Sequence, residues 1–149
     1  MWMRVKALEK LDAVLECVRQ ITKNVDGFSL IDVGCAEGWL LNELNNLSQH
    51  VFYVGVDISS ANINKAKLKK NGNWVLCDAE NLPFKNNSFQ ILLCSEVLEH
   101  TLHPAKCLTE IDRVVQRYAI LTTPVVGSPI LLDMLRYNDL TVKNNRRIR

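Results

Sequence analysis

Apolar and polar residues alternate along the chain with two different periods, which follow each other in a regular order. Over residues 5–21, apolar side chains recur every three or four positions with charged residues between them, which predicts an amphipathic helix. Residues 28–33 then form a short, nearly continuous apolar run, typical of a strand buried on both faces. The helical period returns over residues 39–47. The chain therefore begins with a helix, a strand and a second helix.

The alternation continues through the rest of the chain. We predict helices at 60–70 and 104–115, and strands at 51–56, 74–77, 89–94 and 118–122. Strands that alternate with helices are joined by right-handed crossovers and form a parallel sheet covered on both faces. We expect a single α/β domain over residues 1–149, made of an N-terminal helix (1–25), a core (28–124) and a short C-terminal extension (125–149).

Composition narrows the class of protein. The 149 residues are 48% hydrophobic and 23% charged, as in globular domains. A net charge of +2 is too small to indicate nucleic acid or a membrane surface as the main partner, and the basic tail over residues 143–149 is read as solvated. Five cysteines without a C-x-x-C pair are typical of a reducing compartment, so we expect a cytoplasmic protein. No apolar stretch approaches the ~18 residues of a membrane span.

A glycine loop follows the first predicted strand, from Gly34 to Gly38 with the sequence GCAEG. Acidic residues lie within or just after the first three strands, as Asp32, Asp57 and Asp78. Ligands of open parallel sheets bind beyond the carboxyl ends of the strands, where the strand order reverses. An acid about twenty residues beyond such a glycine loop accepts hydrogen bonds from ribose hydroxyls. This pattern predicts a nucleoside-containing cofactor.

The loop sequence discriminates between cofactors. A dinucleotide site has the pattern G-x-G-x-x-G, whose second glycine lets the backbone approach a pyrophosphate. Ala36 stands at that position, and Glu37 adds a negative charge beside it. An acid-rich pocket instead suits the sulfonium and ammonium groups of S-adenosylmethionine. A nicotinamide-dependent oxidoreductase is therefore disfavoured as an alternative; it would bind NAD through Asp57.

Several motifs, in order, resemble those of class I S-adenosylmethionine-dependent methyltransferases, in the branch typified by ubiquinone and menaquinone biosynthesis enzymes. The resemblance covers roughly residues 28–124. Its departures are Ala36, where a glycine is usual, Gln90, where an Asp is usual, and residues 116–118, where the family has a K-P-G-G turn. It implies a doubly wound, Rossmann-like sheet in the order 3-2-1-4-5. The motifs are IDVGCAEG (31–38), GVDIS (55–59), CDAENLPF (77–84), SEVLEH (95–100) and EIDRV (110–114).

The same resemblance implies roles for individual residues. The glycine loop would flank the methionine moiety, with Asp32 close to its ammonium. Asp57 would bind the ribose, and Ile58 would pack on the adenine. The adenine amino group would contact Asp78, and the ring would meet the Ala79 N–H. The residues expected to bind S-adenosylmethionine are Asp32, Gly34, Cys35, Ala36, Gly38, Asp57, Ile58, Asp78, Ala79 and Ser95.

The expected reaction is methyl transfer by in-line displacement to an unidentified, small-molecule acceptor. Alignment and exclusion of water supply most of the catalysis, and a base is needed only where the acceptor must lose a proton. His100 is the first candidate for that base and His103 the second, while Glu96 would line the pocket near the methyl group and could orient an amine. A metal site at these histidines is disfavoured because no further ligand is evident, so no metal is expected.

The short C-terminal extension leaves open what covers the edge of the sheet and whether the chain is catalytic. The family fold adds a strand hairpin after strand 5, and residues 125–149 leave no room for all of it. Strand 5 would then be an exposed edge, covered by the tail, by a second copy of the chain or by a partner. Residues 130–135 are predicted to form one or two apolar helical turns. The alternative function is a non-catalytic, methyltransferase-like subunit that binds the cofactor or a partner.

Overall fold

A computed structural model describes residues 2–45, 50–69, 72–123 and 131–136, with side chains at 11–44, 50–69 and 72–123. Helices and strands alternate along this part of the chain, as predicted. The helices are α1 (Trp2–Thr22), α2 (Trp39–Asn45), α3 (Ser60–Ala66) and α4 (Pro104–Val114), with a 3₁₀ turn at Leu98–His100. The strands are β1 (Phe28–Val33), β2 (Val51–Asp57), β3 (Asn73–Leu76), β4 (Phe89–Ser95), β5 (Val115–Thr123) and β6 (Leu131–Arg136).

The six strands form one sheet in the order β3-β2-β1-β4-β5-β6. Strands β1 to β5 run parallel to one another, and β6 is antiparallel to β5. The predicted doubly wound sheet in the order 3-2-1-4-5 is thus confirmed. The order reverses between β1 and β4, which places the predicted binding crevice at the carboxyl ends of these two strands.

Two hydrophobic clusters cover the faces of the sheet. Alternate strand residues such as Leu30 and Leu93 pack with α1 and α2, while Ile31 and Leu92 pack with α4 on the other face. Because successive side chains of a strand point to opposite faces, a strand buried on both sides must be apolar throughout, as β1 and β4 nearly are. The polar exception in the middle of β1 is Asp32, only 5% exposed.

The sixth strand corrects two predictions. The apolar turns expected at residues 130–135 are wrong, because residues 131–136 form a strand that pairs along β5 from Thr123 to Tyr118. A short apolar run has no period that separates helix from strand, and the unpaired N–H and C=O groups of β5 favour the strand. The expected exposed edge at β5 is therefore covered by the chain itself, the first of the three alternatives, with no second copy or partner needed there. The basic tail at 143–149 lies outside the described residues.

The departures from the family motifs have structural explanations. The side-chain Oε1 of Gln90 accepts a hydrogen bond from the Ser29 N–H at 2.9 Å, while the Gln90 N–H donates to Ser29 Oγ at 3.0 Å. Gln90 thereby links β4 to β1 with a neutral side chain. At the position of the family's K-P-G-G turn, α4 ends at Val114 and β5 begins at Val115, without a loop. Strand β5 is accordingly longer than predicted.

Candidate cofactor-binding site

A cavity of about 280 Å³ opens at the carboxyl edge of the sheet, at the predicted crevice. The segments that follow β1, β2, β3 and β4 all contribute to its wall, which is largely apolar. Its polar side chains are mainly acidic, and no Lys or Arg is among the described residues that line it. These are Val33, Gly34, Val56, Asp57, Ile58, Cys77, Asp78, Ala79, Glu80, Glu96, Val97, His100, Thr101 and Leu102.

The ends of β2 and β3 place two carboxylates and two apolar side chains on one side of the cavity. Asp57 Oδ1 accepts a hydrogen bond from the Ser59 N–H at 2.8 Å, and Asp78 Oδ1 accepts one from the Glu80 N–H at 2.9 Å. These bonds fix both carboxylates and leave lone pairs for further donors. Ile58 is 74% exposed beside them, so it offers an apolar surface to a planar ring.

The glycine loop approaches this side closely. Gly34 has a φ of +77°, and a Cβ at this position would collide with Val97 Cγ2. Only glycine therefore fits at this point, where the loop passes beneath the wall formed by the β4 segment. Ala36 also has a positive φ, +48°, and its N–H donates to Asp57 Oδ2 at 2.9 Å. The carboxylate of Asp57 thus joins the glycine loop to the start of α3.

The segment after β4 forms the opposite wall. Glu96 follows the strand with a φ of +57°, uncommon for a residue with a side chain, and its N–H donates to the Thr122 carbonyl at 2.9 Å. The chain then turns through the 3₁₀ turn, so that Val97 and the exposed His100 both reach the cavity. Backbone strain of this kind is frequent at functional sites.

The comparison with known protein families follows the same stretch of chain. A model of the methyltransferase domain family matches residues 31–122, which is more than half of the 149 residues and includes all four of these strand ends. The chain belongs to the class I S-adenosylmethionine-dependent methyltransferase family. The resemblance seen in the sequence motifs is confirmed.

Individual relatives extend over much of this methyltransferase chain. An uncharacterized protein of Methanocaldococcus jannaschii is 31% identical over 120 residues, which are 80% of this chain and 50% of that protein. A ubiquinone biosynthesis O-methyltransferase of Mesorhizobium japonicum is 35% identical over 91 residues, 55% of this chain and 36% of that enzyme. The chain therefore spans half or less of these two relatives.

A solved structure shares the fold. Magnesium protoporphyrin IX methyltransferase from Synechocystis, solved with bound S-adenosylmethionine, superposes with a TM-score of 0.68 at 21% sequence identity. The superposition covers 80% of this chain and 60% of that one. At this identity the likeness concerns the fold, and it agrees with the parallel sheet described above.

The predicted methyltransferase site residues divide into two groups. The cavity brings together Gly34, Asp57, Ile58, Asp78, Ala79, Glu96 and His100 from four separate segments. The remaining five, Asp32, Cys35, Ala36, Gly38 and Ser95, do not line it. Ala36 lies one step away, through its hydrogen bond to Asp57. The other four are held beneath the cavity or beside it.

Two of these four form side-chain hydrogen bonds with neighbouring strands of the sheet. The carboxylate of Asp32 accepts a hydrogen bond from the Tyr53 hydroxyl at 2.6 Å. Burial raises the pKa of Asp32 from 3.8 to about 6, against the opposing effect of the Tyr53 hydrogen bond. Ser95 Oγ lies 2.6 Å from Thr122 Oγ1 and shares a hydrogen bond with it. The side chains expected beside the methionine and methyl groups thus face neighbouring strands.

The other two lie under the loop surface. Gly38 is buried, and a Cβ there would collide with the indole ring of Trp74. Cys35 is 6% exposed, and burial raises the pKa of its thiol. Both residues are therefore packed inside the protein and affect the conformation of the loop.

The negative charge of Glu37, which was expected to disfavour pyrophosphate, does not lie in the cavity. Glu37 Oε1 lies 2.6 Å from Lys65 Nζ in a salt bridge, and neither residue lines the cavity. Backbone hydrogen bonds within the loop disfavour pyrophosphate instead. The N–H groups of Gly34 and Cys35 both donate to the Val56 carbonyl, at 2.8 and 3.0 Å, and that of Ala36 donates to Asp57. Since these loop donors have partners within the protein, they are not presented to a pyrophosphate.

Sequence reasoning missed several residues of the wall. Glu80, Val97, Thr101 and Leu102 line the cavity without having been assigned to it. The signal was present for the first two, which belong to the motif segments 77–84 and 95–100. The others depend on the 3₁₀ turn at Leu98–His100, which no hydrophobic period predicts. Tertiary folding brings them back over the end of β1.

The second candidate base has a different position. His103 does not line the cavity; its Nδ1 lies 2.9 Å from Glu80 Oε2, and its N–H donates to Glu80 Oε1 at 2.8 Å. His103 is therefore a partner of Glu80, and only His100 of the two histidines faces the cavity. In the described part of the chain, no three His, Cys, Asp or Glu side chains come together as a metal site. No helix within those residues is long and apolar enough to cross a membrane.

Proposed function

We propose that this chain binds S-adenosylmethionine and transfers its methyl group to a small-molecule acceptor. One observation carries the proposal: Asp57 and Asp78 meet at one side of a cavity whose opposite wall holds Glu96 and His100. A family with this cofactor needs nucleoside contacts on one side and room for an acceptor on the other. The cavity separates the two sets of residues in this way.

The first side has the donor and acceptor groups that an adenosine requires. Asp57 Oδ2 accepts one hydrogen bond, from the Ala36 N–H, and keeps a lone pair that can accept from a ribose hydroxyl. Its other oxygen, Oδ1, already accepts from the Ser59 N–H and from Asn62 Nδ2 at 3.4 Å. Asp78 can accept from the adenine amino group, and Ile58 and Ala79 offer apolar contact to the ring. The volume of about 280 Å³ lies near the lower end of the roughly 300–1,000 Å³ typical of small-ligand sites. The residues present therefore fit the nucleoside part of the cofactor.

On the second side, the chain's own residues orient the acceptor. When bound, S-adenosylmethionine would supply an electrophilic methyl group to an acceptor oxygen, nitrogen or carbon in line with the sulfonium C–S bond, with S-adenosylhomocysteine as the leaving group. His100 is the residue able to take a proton from the acceptor, because it lines the cavity and its ring reaches solvent. Glu96 orients a polar acceptor from the strained turn after β4. Val97, which is half-buried, adds apolar surface beside them.

A small acceptor is favoured by the cavity volume of about 280 Å³ and by the absence of Lys or Arg among the described lining residues. Phosphate-rich acceptors are bound by positive charges, which this part of the cavity does not provide. Among the relatives, the Mesorhizobium protein is named as a ubiquinone biosynthesis O-methyltransferase.

Isothermal titration with S-adenosylhomocysteine tests the nucleoside side. We expect the wild-type chain to bind, and Asp57→Asn and Asp78→Asn each to weaken binding by about ten- to a hundredfold, the value of a hydrogen bond to a charged group. Asp12→Asn, the same change on an exposed position of α1, is the matched control and should bind as the wild type does. Absence of binding by the wild-type chain at millimolar ligand would refute the proposal.

Catalysis needs a separate measurement. Radiolabelled methyl from S-adenosylmethionine is incubated with the chain and a metabolite extract, and the label is followed into the small-molecule fraction. We expect His100→Ala to lower this transfer while S-adenosylhomocysteine affinity is retained. Cofactor binding without any transfer would instead support the non-catalytic alternative.

A further inference from the structure

Glu80 is a buried carboxylate with no place in the proposed reaction. It is 6% exposed and lines the cavity two residues after Asp78. Its two oxygens accept hydrogen bonds from one residue, His103, through the backbone N–H at 2.8 Å and the ring Nδ1 at 2.9 Å. Both hydrogen bonds hold the pKa of Glu80 below its ordinary value, so the side chain is ionised at neutral pH. Burial of such a group is tolerated only where its partners are well placed.

These bonds join two segments that face each other across the cavity. Glu80 belongs to the loop after β3, which carries Asp78 and Ala79 on the nucleoside side. His103 ends the segment that runs from Glu96 through the 3₁₀ turn and begins α4. The side chain of His103 makes no helix cap of its own, so its bonds to Glu80 fix the start of the helix. The position of the acceptor wall thus depends on a residue from the opposite loop.

Further along, the loop is already attached to α4 at a distance from the cavity. The Leu82 N–H donates to Glu110 Oε2 at 2.8 Å, and Arg113 donates to the Leu82 and Phe84 carbonyls. These contacts hold the loop without touching residues 97–103. At the cavity end of the loop, Asn81 Oδ1 accepts from Lys106 Nζ of α4 at 2.9 Å, and Glu80 supplies the hydrogen bonds that reach the acceptor wall itself, at His103.

We propose that Glu80 is a positioning residue that couples the two sides of the cavity: occupation of the nucleoside side fixes the Asp78–Glu80 loop, which orders residues 97–103 through His103. The inference rests on the proposed function, since the nucleoside is the ligand that starts the coupling. Its consequence is that the acceptor wall with His100 is completed only when the cofactor is in place. Such an order of assembly excludes water from the site before an acceptor enters.

Hydrogen exchange of the backbone amides over residues 97–103 tests the coupling, with and without saturating S-adenosylhomocysteine. In the wild-type chain we expect the ligand to slow exchange by about tenfold or more, the effect of hydrogen bonds to a charged acceptor. Glu80→Ala should abolish this slowing, and Glu80→Gln should restore part of it, since its amide oxygen still accepts from the His103 N–H. Glu43→Gln, on an exposed position of α2, is the control and should behave as the wild type.

The outcomes separate the two proposals. Ligand concentrations are set from the affinity of each variant, so that occupancy is equal. If Glu80 has only a structural role, Glu80→Ala should speed exchange equally in the free and the ligand-bound chain, and the ligand should still slow exchange. That result would overturn the coupling. Ligand binding to the wild-type chain without slower exchange at 97–103 would overturn it while leaving the proposed function in place. No ligand binding at all would overturn both.

Discussion

Asp32 lets the cost of a buried acid be measured directly. The residue lies in the middle of β1, 5% exposed, with the Tyr53 hydroxyl 2.6 Å from its carboxylate. Burial raises its pKa from 3.8 to about 6; the Tyr53 hydrogen bond lowers it, and the nearby charge of Asp57 raises it further. Replacement of Asp32 by Asn removes the ionisation and keeps an oxygen that can accept the Tyr53 hydrogen bond.

The sign of the effect follows from proton binding. Between pH 3.8 and 6, the folded chain holds the proton of Asp32 more tightly than the unfolded chain does. The contribution to stability is therefore complete below pH 3.8 and is lost as the pH rises through about 6. A shift of about two pKa units corresponds to about 3 kcal/mol in the free energy of unfolding. Asp32→Asn should thus be about 3 kcal/mol more stable than the wild type at pH 8 and close to it at pH 4.

Urea denaturation at pH 4, 6 and 8 measures this difference. The gap between Asp32→Asn and the wild type should open mainly between pH 4 and 6 and stay constant above about pH 7. Tyr53→Phe should lower stability at pH 8, because it removes the hydrogen bond that favours the charged form of Asp32. Asp12→Asn, at an exposed position, should show little dependence of this kind. A gap that is the same at every pH, or a less stable variant at pH 8, would refute the reasoning.

Three further predictions concern backbone strain and buried thiols. Gly34→Ala should lower the free energy of unfolding by about 2 kcal/mol or more, because a Cβ at positive φ would also meet Val97, and thermal denaturation would detect it. Ala36→Gly should raise it by up to about 1 kcal/mol, since φ is +48°; a lower melting temperature would contradict this. The hydrogen bond with Cys107, together with burial, raises the pKa of Cys94. Because both thiols are fully buried, they should react with a disulfide reagent only after unfolding, measured by mass spectrometry.

Much of the site was predictable because it is carried by local sequence. Asp57 ends β2 and Asp78 follows β3, both predicted from short apolar runs, and parallel strands place their carboxyl ends at one edge. The same logic placed Gly34 and His100 at that edge. Asp32 and Ser95 stand at the expected positions in the motifs but are not among the residues that line the cavity. Their side chains turn to Tyr53 and Thr122 on neighbouring strands, and no local pattern contains that information.

The charge of Glu37 shows the same limit from the other direction. In the sequence it stands beside the glycine loop, and its negative charge was assigned to the pocket. In the fold its partner is Lys65, a residue of α3 that lies 28 positions away in the chain. A salt bridge across that separation depends on how the glycine loop and α3 are placed in the fold. The preference against pyrophosphate therefore rests on backbone hydrogen bonds of the loop.

The sequence by itself determined the parallel sheet, the edge at which the cavity opens and the family, because hydrophobic period and motif spacing are local properties of the chain. Tertiary structure alone decided which side chains face the cavity, that residues 131–136 pair with β5, and that Glu80 reaches His103. Each of these depends on contacts between distant segments. Such contacts form only when the core between them is packed, so no stretch of sequence records them.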